Sequence, residues 1–302
     1  MESAMLWVPL TLIAAATQVV RNSAQANLTG KIGTLGGTQV RFVFGLPFAA
    51  LLLAAALLVE GVHFPAFNRA ALLWTALGAI CQIAGTALML LVMHRRAFGV
   101  AYAYIKTEPV IVAMLGVLLL GDKLPLLAWL AVLVVTAGVL IASVKPGEFG
   151  KLLGEGGMIL SGAAAGGLFG LSAIAFRGGI GALAEDDFII RSLTVLVIAL
   201  VIQTLLLGLW LGFCDRAAFL GSLREWRGSI GAGFAGALSS AFWFAAFALT
   251  AAANVRTLAL IELPMVALAS GRLTGRAMAR HELLGLGIVM GGVALLLAAN
   301  VG

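Results

Sequence analysis

Two glutamates stand in stretches otherwise apolar enough to lie at membrane depth. Glu108 falls within Ala97–Gly121 (AFGVAYAYIKTEPVIVAMLGVLLLG) and Glu262 within Asn254–Thr274 (NVRTLALIELPMVALASGRLT). A carboxylate in that environment is costly, so it faces a wet cavity or a partner charge and marks a transport path. The two acids are 154 residues apart, about half of the 302-residue chain, and the same offset relates Gly121 to Gly275 and Gly138 to Gly292. Carboxylates at matching places in two halves suggest a duplicated carrier with its site at the repeat interface. Tyr104 lies one turn before Glu108, so its hydroxyl can address the same space as that carboxylate. Lys106 and Arg256 stand close by in sequence and could either neutralise the acids or bind a carboxylate or phosphate of a substrate. A site offering both signs suits a zwitterion. An acid facing a cavity can also exchange a proton for a cationic group. The alternative is that Glu108 and Glu262 are structural partners of Arg or Lys on neighbouring helices.

Other polar residues sort by helical face. Gln18, Asn22 and Gln25 recur at spacings of four and three, with Arg21 beside them. Such a stripe marks one side of a helix. Gln82, Gly85, Thr86 and Met89 share a face further on, and Ser239, Trp243 and Phe247 recur at intervals of four. Backbone groups in a membrane helix are already satisfied, so these side chains must find water, a neighbouring helix or a ligand. Gln18, Asn22, Gln82, Thr86, Ser239 and Trp243 are therefore candidate walls of a binding site, and interhelical hydrogen bonding or packing is the competing reading for each. The groups Gly166, Gly167, Gly170 and Gly231, Gly233, Gly236 read as close helix contacts.

The elements that must carry these residues are transmembrane helices. The chain is 62% hydrophobic and 11% charged, with mean hydropathy +1.10. Soluble domains are about half apolar and about a quarter charged. Ten spans are predicted near 4–26, 34–58, 68–93, 97–120, 125–143, 155–177, 187–212, 228–252, 255–272 and 282–300. Five spans per half would insert the second half upside down. The expected fold is thus an all-α integral membrane protein of two inverted five-helix repeats around a central cavity. The repeats are 1–146 and 155–302, joined by a hydrophilic linker at 147–154. Arg41 is echoed by Arg191 and Arg21 by Arg177, at offsets of 150 and 156. The first span reads as retained, since the N-terminus lacks the basic segment of a signal peptide.

Charge and motif content exclude several classes. The net charge of +6 is scattered at span ends, as in His94-Arg95-Arg96 and Arg216, Arg224, Arg227. That distribution suits loops meeting lipid headgroups rather than a nucleic-acid stripe, and counting loop charges favours both termini outside. Cys81 and Cys214 are isolated, and His63, His94 and His281 sit at span ends, giving neither a disulfide framework nor a metal cluster. No HExxH, paired intramembrane aspartates or nucleotide-binding loop occurs, so an enzyme is not expected and active transport would draw on an ion gradient or on exchange.

The run Tyr104-Ile-Lys-Thr-Glu108-Pro109-Val, the helix end Leu118–Leu120 with Gly121-Asp122-Lys123-Leu124, and Gly138-Val-Leu-Ile together resemble helices four and five of the EamA domain of the drug/metabolite transporter superfamily. Arg41 resembles the arginine that recurs early in that domain's second helix. Asp122 replaces the usual glutamate. In the second copy Glu262-Leu-Pro264 keeps the helix-four signature, while Arg272–Arg280 (RLTGRAMAR) departs from the usual apolar run. The resemblance implies a ten-helix secondary carrier with a central cavity, often an exporter of metabolites, and transfers no particular substrate. The expected function is an exporter of a small polar metabolite, such as an amino acid or related zwitterion, by alternating access. Organic cations or drugs, or organic anions, are the alternative cargoes, and a membrane enzyme or non-transporting bundle is the remote one. The expected partners are a small-molecule substrate, a proton as coupling ion and the bilayer, with no nucleic acid and no cofactor. The expected form is a monomer or homodimer in the cell's inner membrane.

Overall fold

The computed structural model describes residues 5–95, 108–144, 156–264 and 279–301. Its helices are α1 (Trp7–Val43), α2 (Gly45–Glu60), α3 (Arg69–Arg95), α4 (Glu108–Leu120), α5 (Leu126–Ser143), α6 (Gly156–Gly181), α7 (Phe188–Cys214), α8 (Arg216–Arg224), α9 (Trp226–Leu249), α10 (Ala252–Leu258) and α11 (Arg280–Val301). Among the described residues seven helical stretches are long and apolar enough to cross a membrane, and Glu108–Leu120 is a shorter apolar helix. Large apolar side chains such as Leu51, Leu118, Leu126 and Leu209 face outward, as they must where the surrounding solvent is lipid rather than water. The protein is an all-α, multi-pass membrane protein.

Two expectations about helix boundaries change. Between the spans predicted at 4–26 and 34–58 the first helix continues through the polar stretch, and the two helices part at Gly33 (φ 74, ψ 169). Residues 23–31 are polar but contain neither glycine nor proline until Gly30, so nothing there breaks a helix. The backbone bends only where a residue without Cβ can adopt a positive φ. Gln25 spans the bend, its Nε2 donating to the Gly37 carbonyl at 2.8 Å. The second change concerns the predicted span 255–272. In its described part α10 gives way to a 3-10 turn at Ala259–Ile261. Pro264 has no N–H to donate to the Leu260 carbonyl, and the chain tightens just ahead of it.

By its internal contacts the chain divides into two compact units, residues 1–83 with 175–250, and residues 84–174 with 251–302. Each unit draws on both sequence halves. In the first, α1 packs on α9 and α8, and α2 on α7 and α9. In the second, α5 packs on α11, and α10 on α4 and α5.

The α5–α11 pair is built on glycine. A Cβ at Gly138 would lie 2.8 Å from both the Gly285 carbonyl oxygen and the Val289 nitrogen, and one at Gly292 would lie 3.0 Å from the Val135 nitrogen. A Cβ at Gly285 would collide with the Ala142 backbone. The register is antiparallel, and it is reciprocal. Adding 154 to Gly138 gives Gly292, and subtracting 154 from Val289 gives Val135, so exchanging the halves returns the same contact. A second case links the Ser239–Ala14 pair in the first unit with Gly85–Leu168 in the second, where a Cβ on Gly85 would lie 3.3 Å from Leu168 Cβ.

Gly285→Ala is therefore expected to lower stability by about 1–3 kcal/mol through overpacking. Gly287→Ala, with nothing within 4 Å of the added carbon, should be neutral or gain up to about 1 kcal/mol. Thermal unfolding of the two purified variants in one detergent checks the contrast; equal losses would refute it.

Candidate functional site

Within the second unit, α4 and α10 bring a carboxylate and a guanidinium together. Arg256 Nε donates to Glu108 Oε1 at 2.6 Å, and its Nη2 lies 2.5 Å from the same oxygen. Both nitrogens converge on Oε1, so the other carboxylate oxygen lies outside this pair. Glu108 is 8% exposed and Arg256 20% at the side chain. The acid is thus almost fully desolvated, and the base is partly open. Glu262 is also buried, at 5%. The cation nearest to Glu262 in sequence is thereby engaged by the other glutamate. Thr86 of α3 is buried in the same unit. Beside the pair, Asn254 Nδ2 donates to Asn300 Oδ1 at 2.9 Å, tying α10 to α11. Tyr104 and Lys106 lie outside the described residues.

The first unit holds a second polar cluster, on α1 and α9. Trp243 Nε1 donates to Gln18 Oε1 at 3.2 Å, and the Ser239 hydroxyl donates to the Ala14 carbonyl at 3.1 Å. Trp243 also stacks on Phe247, with centroids 6.3 Å apart. Gly236, near the middle of α9, is flanked by two arginines; a Cβ there would lie 3.4 Å from Arg21 Cδ and 3.5 Å from Arg41 Cγ. Arg21 is buried, and its Nη2 donates to Asn22 Oδ1 at 2.8 Å. Asn22 itself is exposed. Gln82 of α3 accepts from Gln203 Nε2 of α7 at 2.7 Å. Gln18, Ser239 and Trp243 therefore meet one another, while Gln82 engages α7.

Sequence reasoning passed over Gln203, Asn254 and Asn300. Gln203 is a lone amide in the apolar run of α7 and is 1% exposed; its isolation in that run was the available signal. Asn300 lies in the last turn of α11, where a polar residue reads as a helix end. Among the described residues no group of three or more His, Cys, Asp or Glu is placed to hold a metal ion. What the arrangement can do is bind and exchange charge: a carboxylate–guanidinium pair at membrane depth, and arginines among amides and an indole.

Ionisable residues inside the spans of a many-helix membrane bundle are the feature that membrane transport sites share. Residues 4–144 match the EamA-like transporter family. A solved crystal structure superposes with a TM-score of 0.68 over 98% of this chain and 96% of the other, at 15% identity. That likeness concerns the fold. No curated protein matches the sequence.

Glu108→Gln would leave the partly buried Arg256 charge beside a neutral amide, at a cost of up to about 3 kcal/mol. The expected outcome is low abundance and a lowered unfolding temperature. In Glu108→Gln/Arg256→Gln both charges are gone, and stability should return most of the way. A double-mutant cycle on unfolding temperature measures the coupling; additive losses would show that the two side chains do not act as a pair.

Proposed function

We propose that this protein is a secondary transporter of small zwitterionic metabolites, amino acids or close relatives, working by alternating access between two inverted five-helix repeats. The observation that carries the reading is the Arg256–Glu108 pair, which joins a helix of the first sequence half to one of the second. A zwitterion can replace it without leaving a bare charge in low dielectric: its ammonium takes the place of Arg256 on Glu108, and its carboxylate takes the place of Glu108 on Arg256. Such an exchange avoids the desolvation penalty that would bar a singly charged guest. The partial exposure of Arg256 gives that exchange an entry.

Support for the duplicated architecture comes from the reciprocal contact of Gly138 with Val289 and Gly292 with Val135. A two-fold axis in the membrane plane makes equivalent helices antiparallel and their contacts reciprocal. Ten spans follow when α1 is divided at Gly33 and the stretches around α4 and α10 are counted as membrane segments. Export across the inner membrane and proton coupling belong to the same reading. A second cargo class, organic anions, is favoured by the meeting of Arg21 and Arg41 stems at Gly236.

Uptake and counterflow in proteoliposomes, across neutral amino acids, organic anions and organic cations, with and without a pH gradient, test this reading. Counterflow restricted to zwitterions is expected. Glu108→Gln/Arg256→Gln should be folded and carry less than about a hundredth of wild-type flux, the loss of one well-paired ionic contact of about 3 kcal/mol. Wild-type flux in that double variant would reduce the pair to a structural role, and flux of cations alone would overturn the zwitterion assignment.

A further inference from the structure

The segment between α7 and α9 has a surface unlike those of the spans it joins. α8 is capped by Asp215, whose Oδ1 accepts from the Ala218 nitrogen at 3.0 Å. One side of it is small and buried, with Ala218 and Ser222 turned inward. That side meets α1 around its bend. A Cβ on Gly221 would lie 3.1 Å from Ile32 Cγ2, and one on Gly36 would lie 3.2 Å from the Ala218 carbonyl oxygen. Ile32 and Gly36 flank Gly33, where α1 kinks. The other side presents Arg216, Leu220, Leu223 and Arg224, continued by Trp226 and Arg227 at the start of α9. Leu220, Leu223 and Trp226 are exposed at 39%, 40% and 48%, and all three arginines are exposed. The Arg227 guanidinium lies 5.4 Å over the Trp226 ring. Glu225, an acid of this edge, is met by Lys31 at 3.2 Å, which leaves the edge net positive.

Exposed leucines on one short helix would be a liability in water, and three arginines would be a liability in hydrocarbon. Both are satisfied at the boundary between the two, where leucines enter the acyl region and long arginine stems reach outward to the headgroups. Tryptophan favours the same depth. The guanidinium fork matches a phosphate, and clustered arginines at a bilayer surface select anionic lipid. We propose that α8 lies in the bilayer interface and binds anionic phospholipid headgroups through Arg216, Arg224 and Arg227, and that the bound lipid steadies the α1 kink against which α8 is braced. This inference stands apart from the transport reading, since it needs neither the Arg256–Glu108 pair nor a substrate.

The test uses the purified full-length protein in detergent, titrated with phosphatidylglycerol or phosphatidylcholine, with thermal unfolding and native mass spectrometry as readouts. Phosphatidylglycerol should stay bound and raise the unfolding temperature where phosphatidylcholine does not. The difference should fade as salt rises from about 0.05 to about 0.5 M. R216Q/R224Q/R227Q should lose about fivefold in phosphatidylglycerol affinity per arginine removed. If that variant does not fold, R216K/R224K/R227K serves instead: it should keep the salt-sensitive preference with weaker binding. Equal effects of the two lipids, a salt-independent effect, or undiminished phosphatidylglycerol binding by the glutamine variant would each overturn the proposal. So would a dimer, seen as a doubled mass, that the arginine substitutions dissociate.

Discussion

Taking a carboxylate or a guanidinium out of water costs several kcal/mol for each ion, and only a close, well-oriented opposite charge returns most of it. Glu108 and Arg256 meet that condition in each other, and much of the second unit's construction serves to let them. α4 supplies the acid from an otherwise apolar helix. α10 supplies the base from a helix so short that its seven residues must be held by neighbours rather than by length. Those neighbours are α4, α5 and α11. The Asn254–Asn300 bond fixes the start of α10 two residues ahead of the arginine, and a 3-10 turn follows α10 at Ala259–Ile261. A displacement of one turn would part the ions, so the position of this helix is set by charge as much as by packing.

Helices in lipid gain nothing from hiding apolar surface, because the tails are as apolar as leucine. Close approach of backbones takes its place, and here glycine provides it. Gly138, Gly285 and Gly292 let α5 and α11 touch main chain to main chain. In the first unit, Gly178 and Gly179 of α6 instead leave room for the side chains of Trp74 and Thr75 of α3. Such contacts have little tolerance for added volume, which makes these two helix pairs rigid.

Much of this architecture could be read from the sequence wherever hydrophobicity was unbroken. The spans near α5, α7 and α11 were placed to within two residues because long apolar runs ended in charge, proline or glycine. The break within α1 is legible between the spans read at 4–26 and 34–58, but its place is not: Gln25, Thr29 and Lys31 look like loop residues yet are helical, and the two helices part at Gly33. α8 is too short for a periodicity argument, and its arginines read in the sequence as basic loop. For the site, residue types were legible and partnerships were not. Arg256 was identified as a cation beside an acid, yet it is six residues from Glu262 and 148 from Glu108, and it is Glu108 that it meets. Which way a side chain turns from its helix depends on the neighbour it packs on, and sequence spacing carries no trace of that.

The offset of 154 relates some positions of the two sequence halves and not others. Packing positions keep it: Gly138 answers to Gly292, Val135 to Val289, and Ala14–Ser239 to Leu168–Gly85. Glu108 and Glu262 keep it as well. The base does not, because the position matching Arg256 in the first half is Tyr102. Under the duplicated reading this difference follows from physics. Helix contacts in each half must still fit the same partners after exchange, so their residues are constrained together. A buried ion pair needs only one instance to bind a substrate, and a second arginine at the matching place would add another desolvated cation at a cost of several kcal/mol. Under the proposed transport reading, symmetry would be kept by the packing and given up by the charges, which would make the charged positions, rather than the packing, the part of this chain that sets what it carries.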